Sequence, residues 1–362
     1  MKLKLVEKFY KNKRVLIIGH TGFKGSWLTM CLKKLNAKIY GISIDVPTQP
    51  SHFNLLGIKN SIKDYRIDIR DYKKLQNKIV AIKPDIIFHL AAQSLVKESY
   101  LNPYSTWTTN LIGTINLLDI LKNSNLKKKI SVVIITSDKC YKNLNQKKRY
   151  NEKDLLGDQE PYGASKASAE LAFASYFESF LYKKKNIRLG TARAGNVIGG
   201  GDWSKDRIFP DLIRSIKSGK LLKIRYPNST RPWQHVLEPV FGYMYLGYDL
   251  YNKIKNNGQS FNFGPQYSKN YKVIELLNEF KKHNPQIKWK VDKSNKKVNE
   301  AGLLNLNSDK SFRRLKWKNI LNFKNTIKMT SDWYSSYIKN GDMQKITVNQ
   351  IGLYKIKLKK KS

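Results

Sequence analysis

Short runs of apolar residues alternate with segments of helical periodicity over the first half of the chain. The runs carry Ile and Val at nearly every position, as do strands buried on both faces of a parallel sheet. Alternation of such strands with helices predicts an α/β fold built on a doubly wound parallel sheet of the Rossmann type. The predicted strands cover residues 14–19, 38–43, 65–70, 84–92, 132–136 and 187–193.

Helices are predicted where apolar residues recur at helical spacing, and Asp71 is the expected N-cap of one of them. The predicted helices cover residues 26–35, 72–81, 104–123, 167–182, 207–218 and 236–250.

Beyond residue 198 the pattern becomes less regular and predicts a smaller, mixed α/β substrate domain. We assign residues 1–198 to a dinucleotide-binding domain, with residues 236–263 packing back onto it. Residues 199–235 and 264–354 form the expected substrate domain, and residues 355–362 form a basic tail.

The loop GHTGFKG at residues 19–25 joins the first predicted strand to the first predicted helix. This is the setting of a dinucleotide-binding fingerprint, although the spacing is GxxGxxG rather than GxGxxG. Gly19 permits the tight turn, Gly22 lets the backbone approach a pyrophosphate, and Gly25 lets the helix pack closely on the sheet. The loop therefore predicts a nicotinamide dinucleotide site.

Asp45 follows the second predicted strand, where a carboxylate commonly binds the adenosine ribose hydroxyls and disfavours a 2′-phosphate. No arginine occurs between residues 38 and 50, which favours NAD over NADP. The alternative is a loop aspartate without a ligand, since Pro47 follows closely.

The fifth predicted strand ends in Ser137, Asp138 and Lys139. Ligands of open α/β sheets bind outside the carboxyl ends of the strands, so a hydroxyl, a carboxylate and an amine there indicate chemistry. A polar turn is the alternative for this segment taken alone.

Tyr162 and Lys166 share one face of the next predicted helix, which Pro161 suits as a start. We expect the lysine charge to lower the Tyr162 pKa below its free value of about 10. The phenolate would then accept a proton near neutral pH.

The formal net charge of +41 would suit a nucleic acid or an anionic membrane. However, the lysines are dispersed and are not interleaved with stacking aromatics. We therefore expect no specific nucleic-acid partner, only a surface that attracts phosphate-bearing small molecules. Candidate donors to a diphosphate are Arg193, Arg207, Arg225 and Arg231.

No run of about 18 apolar residues occurs, which argues against membrane insertion. The N-terminal segment lacks the apolar core of a signal peptide. Cys31 and Cys140 are far apart and have no metal-site spacing, so we expect a reduced cytoplasmic protein without a structural metal.

Seven motifs complete the pattern. They are GHTGFKGSW at 19–27, PTQPS at 47–51, HLAAQSLV at 89–96, TSDKCY at 136–141, RAGNVIGGGDW at 193–203, DRIFPD at 206–211 and RPWQHVLEP at 231–239. Together they resemble the extended short-chain dehydrogenase/reductases, and within them the nucleotide-sugar dehydratases of the CDP-glucose 4,6-dehydratase branch, from about residue 9 through 341. Lys139 stands where the dTDP and GDP branches carry a glutamate, and with GGGDW and RPWQH it points to the CDP-glucose branch.

The resemblance implies a mechanism in which Tyr162, helped by Lys166 and Ser137, deprotonates the glucose 4-hydroxyl while C4 passes a hydride to NAD. Asp138 would protonate the departing 6-hydroxyl as water is lost across C5 and C6. Hydride returned to C6 then completes a 4-keto-6-deoxy sugar for deoxysugar and surface-polysaccharide synthesis. Lys139 is either the base at C5, which we favour, or a charge that stabilises the enolate oxygen.

The same resemblance assigns the binding residues. Expected cofactor contacts are Gly19, Thr21, Gly22, Phe23, Lys24, Gly25, Asp45, Asp68, Ile69, Leu90, Ala91, Ala92, Asn110, Tyr162 and Lys166. Expected substrate contacts are Gln93, Asn196, Arg207, Arg225, Arg231 and His235. His20 is a departure, because an imidazole after the first glycine would crowd the pyrophosphate.

Three alternatives stay open at this point. A different nucleotide-sugar 4,6-dehydratase shares every motif except those of the CDP-glucose branch, and a 4-epimerase would need the Tyr162–Lys166 pair but not the Asp138 acid. A basic Rossmann scaffold for nucleic acid would need none of them. The resemblance also implies a homodimer or homotetramer, with helices 104–123 and 167–182 pairing across a two-fold axis.

Overall fold

The computed structural model describes residues 2–144, 148–266, 270–292 and 304–360. Seven of the strands it contains pair in parallel into one sheet. They are β1 Arg14–Ile18, β2 Lys38–Ser43, β3 Lys63–Arg66, β4 Ile86–His89, β5 Ile130–Ile135, β7 Ile187–Arg193 and β12 Gln259–Asn262. Their order, β12-β7-β5-β4-β1-β2-β3, reverses direction between β1 and β4 and confirms the predicted doubly wound sheet.

β5 is buried at every position, as its apolar run requires, and β2 and β7 have the predicted bounds. The sequence predicted the third strand at residues 65–70, whereas β3 covers residues 63–66. It is an edge strand with no fully buried position, so its apolar signal is weak. β4 ends three residues before the predicted end, because the amides of Leu90 and Ala91 both turn to the carbonyl of Ile18.

Helices cover both faces of the sheet. One face is packed by α4 Tyr72–Ile82, α7 Gly113–Asn123 and α8 Pro161–Tyr176. The other face is packed by α1 Lys2–Tyr10, α2 Phe23–Lys33 and α10 Leu237–Asn252. The remaining helices are α3 His52–Leu55, α5 Val96–Leu101, α6 Pro103–Trp107, α9 Ile208–Ser218, α11 Val273–Lys281, α12 Asp309–Leu315, α13 Phe323–Ile338 and α14 Met343–Lys360.

Two predicted long helices contain a wider π turn, which the sequence did not predict. The helix expected at 104–123 consists of α6, a π turn at Thr108–Ile112 and α7. The helix expected at 167–182 begins earlier, with Pro161 in its first turn, and ends in a π turn at Phe177–Leu181. Such turns add a residue to one helical turn without ending the apolar stripe, so the periodicity conceals them.

The C-terminal half adds short paired strands around α9, α11, α12 and α13. α10 packs against β5 and β7, and β12 extends the main sheet beside β7. The division into two domains stays a prediction. The short strands are β6 Arg149–Tyr150, β8 Val197–Ile198, β9 Leu222–Ile224, β10 Thr230–Arg231, β11 Gln234–His235, β13 Tyr271–Lys272, β14 Trp289–Val291 and β15 Asn305–Leu306.

α14 continues through residues 355–360, which the sequence assigned to a basic tail, and Lys355 pairs with Glu7 of α1. In the part of the chain that the structure describes, no helix combines the length and the apolarity needed to cross a membrane.

Candidate active site

The carboxyl end of β5 delivers a hydroxyl and a carboxyl into contact. Ser137 caps a short turn at Asp138–Cys140, its Oγ accepting from the Lys139 amide at 3.3 Å. The same Oγ donates to Asp138 Oδ1 at 3.0 Å, and Asn196 Nδ2 donates to Asp138 Oδ2 at 3.3 Å. Burial raises the pKa of the Asp138 carboxyl, although the Lys139 charge opposes the shift. Asp138 is therefore held as a carboxyl able to give up a proton.

Gly195 makes room for that carboxyl. A Cβ at Gly195 would lie 1.8 Å from Asp138 Oδ2, so a larger residue would displace the acid. The next residue, Asn196, has φ +52, which turns its amide toward Asp138. The glycine-rich loop after β7 thus forms one wall of the site.

Tyr162 and Lys166 rise from the first turns of α8, and both are buried. Burial raises the pKa of Tyr162 to about 12, with Asp138 and Glu160 adding to the shift and a hydrogen bond from Ser137 opposing it. The expectation that Lys166 would bring this pKa below 10 was wrong for the protein alone. Burial instead lowers the pKa of the Lys166 ammonium itself to about 8.

Glu160 is a site residue that the sequence reasoning missed. Its carboxylate caps α8, accepting from the amides of Tyr162 and Gly163 at 2.9 Å each. The Lys139 carbonyl lies against Gly163, and the Lys139 charge lowers the pKa of both Glu160 and Asp138, while burial raises both. Lys139 therefore stands between two carboxyl groups. The sequence signal was weak: Pro161 marks the helix start, but glutamate is not among the usual N-cap residues.

The glycine loop has the shape that a dinucleotide requires. Gly19 has φ +94, and a Cβ there would lie 2.5 Å from the Ala91 amide. A Cβ at Gly25 would lie 2.1 Å from the Gly19 carbonyl, so the helix start packs directly on the turn. Gly22 is the N-cap of α2 and offers no side-chain cap, which leaves amides of the first turn available to a pyrophosphate. These residues fit the pyrophosphate of NAD.

His20 does not crowd this loop, contrary to expectation. Its ring is fully buried under the loop against Gly41, with hydrogen bonds to Ser43 Oγ at 2.9 Å and Asp64 Oδ1 at 3.0 Å. Burial lowers its pKa. Because the His20 ring is hydrogen-bonded to residues of β2 and β3, it does not occupy the outer side of the glycine loop at residues 19–25.

An arginine lies beside Asp45, where the adenosine end of the cofactor is expected, although the search for arginines between residues 38 and 50 found none. Asp45 is exposed, and its carbonyl accepts from Thr21 Oγ1 at 2.7 Å and from Arg66 Nη1 at 3.2 Å. Arg66 comes from β3, outside the interval searched for arginines, and pairs with Asp64 at 2.6 Å. A guanidinium therefore lies at the ribose position, but a carboxylate already neutralises it.

Asn110 and Gln93 bind each other. Asn110 Oδ1 accepts from the Gln93 amide at 2.8 Å, and Asn110 Nδ2 donates to Ser165 Oγ at 2.9 Å. The Gln93 side chain donates to Thr106 Oγ1 at 2.8 Å. Asn110 therefore connects the π turn to α8, and both ends of its side-chain amide are already hydrogen-bonded within the protein.

The other expected cofactor residues lie along the carboxyl edge of β1, β3 and β4. Ile69 packs beneath Gly113, and Asp68 is paired with Arg70 at 2.6 Å. Phe23 faces Gly199 of the loop after β7. Half-buried residues after β4 are Leu90, Ala91 and Ala92.

Lys24, expected as a cofactor contact, lies close to the acid. Burial lowers the pKa of its ammonium to about 8, the Arg207 charge adds to this, and Asp138 and Asp202 oppose it. Arg207 precedes α9 and pairs with Asp202 at 3.2 Å. Asn196 and Arg207 are thus the expected substrate residues that the structure brings to the Asp138 site.

The remaining expected substrate residues make contacts within the protein. Arg225 pairs with Asp206 at 3.5 Å, and Arg231 donates to the Thr230 carbonyl at 2.8 Å. His235 is fully buried beside Trp27, ring centroids 5.9 Å apart, where β11 pairs with β8. The substrate contacts of these three residues stay a prediction.

Arg193, a candidate diphosphate donor, is buried in a structural network instead. It pairs with Glu170 of α8 at 2.8 Å and donates to Tyr141 Oη at 2.8 Å. Glu170 also accepts from Thr191 Oγ1 at 2.8 Å. The network ties β7 and α8 to the turn that carries Asp138. Among the described residues, no cluster of histidine, cysteine and carboxylate side chains could hold a metal ion.

The sequence of this chain is similar to those of known nucleotide-sugar dehydratases. The sequence model of the family described as GDP-mannose 4,6 dehydratase matches residues 16–330. A CDP-glucose 4,6-dehydratase of Salmonella typhimurium is 38% identical over 96% of this chain and 98% of its own length.

Solved structures share the fold at lower identity. A UDP-glucose-4-epimerase from Stenotrophomonas maltophila with bound NAD has a TM-score of 0.78 at 17% identity, covering 91% of this chain and all of its own. A dTDP-glucose 4,6-dehydratase from Bacillus anthracis in complex with NAD has a TM-score of 0.72 at 20% identity, covering 90% of this chain and 97% of its own.

Proposed function

Because this chain belongs to the GDP-mannose 4,6-dehydratase family, we propose that it converts CDP-glucose to CDP-4-dehydro-6-deoxyglucose. The chain is a nucleotide-sugar 4,6-dehydratase, a hydro-lyase, and the proposal adds the CDP-linked glucose. The observation that carries it is the buried Asp138 carboxyl beside the Tyr162 phenol, since dehydration needs an acid as well as a base. The CDP assignment is supported by the Salmonella relative and by Lys139 in the position of a glutamate.

The chain's own residues suit removal of a proton from the glucose 4-hydroxyl. The Tyr162 oxygen is the acceptor, and the Ser137 hydrogen bond stabilises its phenolate. Lys166, with its pKa lowered to about 8 by burial, is the group that can relay the proton onward. Bound NAD would supply the hydride acceptor for C4 and the hydride donor for C6, and its cationic ring would favour the phenolate.

Loss of water then requires one proton to leave C5 and one to reach the oxygen on C6. We assign the second to Asp138, because burial raises its pKa and so favours the protonated carboxyl. We assign the first to Lys139, which lies beside Asp138 and Glu160. In its alternative role, Lys139 stabilises the enolate oxygen as a fixed charge. Removing Lys139 would then leave deuterium exchange at C5 undiminished.

We assign NAD rather than NADP. Asp45 is exposed at the ribose end, and Asp64 pairs with Arg66, the arginine placed there. A 2′-phosphate would therefore meet two carboxylates and no free guanidinium among these three residues.

The proposal includes a cytoplasmic homodimer. Both cysteines are free and buried, as in a reducing compartment. α6, α8 and the two π turns carry exposed apolar side chains on the surface that would pair, among them Tyr104, Ile112, Leu171 and Phe180. The product would supply deoxysugar synthesis for a surface polysaccharide.

The test is incubation with CDP-glucose and NAD, followed by the ultraviolet absorbance that 4-keto-6-deoxyhexoses develop in alkali. We expect product from CDP-glucose and little from the UDP-, GDP- or dTDP-linked sugars. Product from one of those sugars and none from CDP-glucose would overturn the base specificity and leave the reaction type intact.

A further inference from the structure

Tyr243 of α10 carries a buried hydroxyl that no described residue hydrogen-bonds. Burying a hydroxyl without a partner costs free energy, and a phenylalanine would fill almost the same volume without that cost. The packing of α10 against β5 therefore does not explain the hydroxyl. A bound water molecule, a ligand or a reacting group would supply the missing partner.

The surroundings of Tyr243 lead to the acid. Its ring packs edge-on against Phe263, centroids 5.8 Å apart. Gln234 Nε2 donates to the Phe263 carbonyl at 2.8 Å and to the Gly195 carbonyl at 3.0 Å. Gly195 is the residue on which the Asp138 carboxyl lies. Phe263, after β12, and Gln234 therefore connect Tyr243 to the segment of the loop after β7 on which Asp138 lies.

The Tyr243 hydroxyl is also electrostatically coupled to the site. Burial raises its pKa most, and the neighbouring Tyr162 and Asp138 add to the shift. Since the shift is upward, the hydroxyl stays protonated and serves as a hydrogen-bond donor.

A matching acceptor lies nearby. Gln234 is fully buried, and its Oε1 has no hydrogen-bond partner among the described residues, although both of its Nε2 contacts are made. A buried donor and a buried acceptor without protein partners are what a bound water molecule satisfies. The dehydration generates a water molecule beside Asp138.

We propose that Tyr243 is a further catalytic residue whose hydroxyl, with Gln234 Oε1, receives the water eliminated from C6. This inference rests on the proposed dehydration. The C5–H bond breaks, its electron pair forms the second C5–C6 bond, and the C6–O bond breaks. The Asp138 proton passes to the departing oxygen, which leaves as water, while the C5 proton passes to Lys139. Tyr243 donates to that oxygen as its negative charge develops.

The test compares Tyr243→Phe with Tyr245→Phe. Tyr245 lies on the same helix but near Glu7 of α1, whose charge raises its pKa in addition to burial. We expect Tyr243→Phe to lower kcat about 10- to 100-fold with KM for CDP-glucose unchanged. Single turnovers should accumulate the near-ultraviolet absorbance of reduced nicotinamide, because C4 oxidation continues while water loss slows. Tyr245→Phe should match the unsubstituted enzyme.

Stability provides a second readout. Because the Tyr243 hydroxyl makes no protein hydrogen bond, Tyr243→Phe should melt at the same temperature as the unsubstituted enzyme or higher. A lower melting temperature, unchanged kcat, or a lower kcat without reduced nicotinamide would each overturn the inference. Failure of the proposed function is distinguishable, because it would appear as absence of product from the unsubstituted enzyme.

Discussion

At the scale of single residues, burial is the largest influence on every proton-handling group of the site. It raises the pKa of Tyr162 and Asp138 and lowers that of Lys166. A tyrosine–lysine pair in sequence suggests a phenolate that the lysine stabilises, but the oxygen is as buried as the ammonium. The hydrogen bond between Ser137 and Tyr162 lowers the Tyr162 pKa and so opposes the effect of burial.

Ser137→Ala should therefore shift the pH dependence of the first step. Tyr162 has to lose its proton, so kcat/KM should rise with pH toward the Tyr162 pKa, which is about 12 in the free protein. Removing the Ser137 hydrogen bond raises this pKa further and moves the rising limb to higher pH. The measurement is kcat/KM for CDP-glucose against pH. Ser124→Ala, at a hydroxyl that bonds only the Leu121 carbonyl at 3.0 Å, is the control. If the rising limb of kcat/KM in Ser137→Ala stays at the same pH or moves to lower pH, Ser137 does not lower the Tyr162 pKa.

Lys139→Met tests the base at C5. If Lys139 removes the C5 proton, the variant should still oxidise C4 but lose incorporation of solvent deuterium at C5 by about 10²- to 10⁴-fold. Nuclear magnetic resonance of the sugar recovered from heavy water measures the incorporation. Lys122→Met, on α7 beside Asp119, is the matched control. Undiminished exchange in Lys139→Met would rule out the base and leave the electrostatic role.

At the scale of elements, the sequence predicted best where burial is complete. β2 and β7 have the expected bounds, and β5 covers the predicted apolar run but begins two residues earlier and ends one residue earlier. The edge strand β3 and the two π turns escaped prediction, because partial exposure weakens the apolar signal and a single added residue leaves the helical stripe intact. Ser137, Asp138, Tyr162 and Lys166 come together as the motifs implied, since each is local to one strand end or one helix start.

Residues whose partners are distant in sequence could not be predicted in this way. Arg193 was a candidate for diphosphate, and only the structure shows Glu170 beside it. Glu170 comes from α8 and Arg193 from β7, and no local pattern encodes their pairing.

Glu170→Gln should destabilise the fold by about 3–5 kcal/mol, because it leaves the Arg193 charge buried without a partner. Urea unfolding measures the change. Glu279→Gln, in the exposed pair with Lys282, should cost no more than about 1 kcal/mol. The double variant Glu170→Gln with Arg193→Met should recover part of the loss. A loss in Glu170→Gln no larger than that of Glu279→Gln would contradict the role of the pair.

The same pair predicts a pH dependence. Burial raises the pKa of Glu170, but the Arg193 charge and hydrogen bonds from Arg193, Thr136 and Thr191 outweigh it, so the pKa is lowered. A carboxyl with a lowered pKa stabilises the fold above its unfolded value of about 4.3 and ceases to do so as the pH falls through the folded value. The difference between the unsubstituted protein and Glu170→Gln should therefore shrink on acidification below about pH 4.

At the scale of the whole molecule, the surface combines high positive charge with one apolar region. The side chains of Tyr104 and Leu171 are 81% and 58% exposed, on helices that flank the site. α6 continues into the π turn that carries Asn110, and α8 carries both Leu171 and Tyr162. Pairing of this surface would bury apolar side chains and hold the helices that support the site.

If the proposed dimer forms through this surface, Leu171→Glu should give a monomer, because a buried charge without a partner opposes association. Light scattering of the eluted protein measures the mass. Leu353→Glu, at an exposed leucine of α14, is the control and should stay dimeric. A monomeric unsubstituted protein, or a dimeric Leu171→Glu, would contradict the assignment of this surface.

The central claim is that one site oxidises C4, removes water across C5 and C6, and returns the same hydride to C6. The most direct measurement uses CDP-glucose carrying deuterium at C4, with NAD and the unsubstituted enzyme, and locates the label by nuclear magnetic resonance. The account predicts a 4-keto-6-deoxy sugar with the deuterium on C6. Deuterium returned to C4 of an unreduced hexose would show a 4-epimerase and contradict the account.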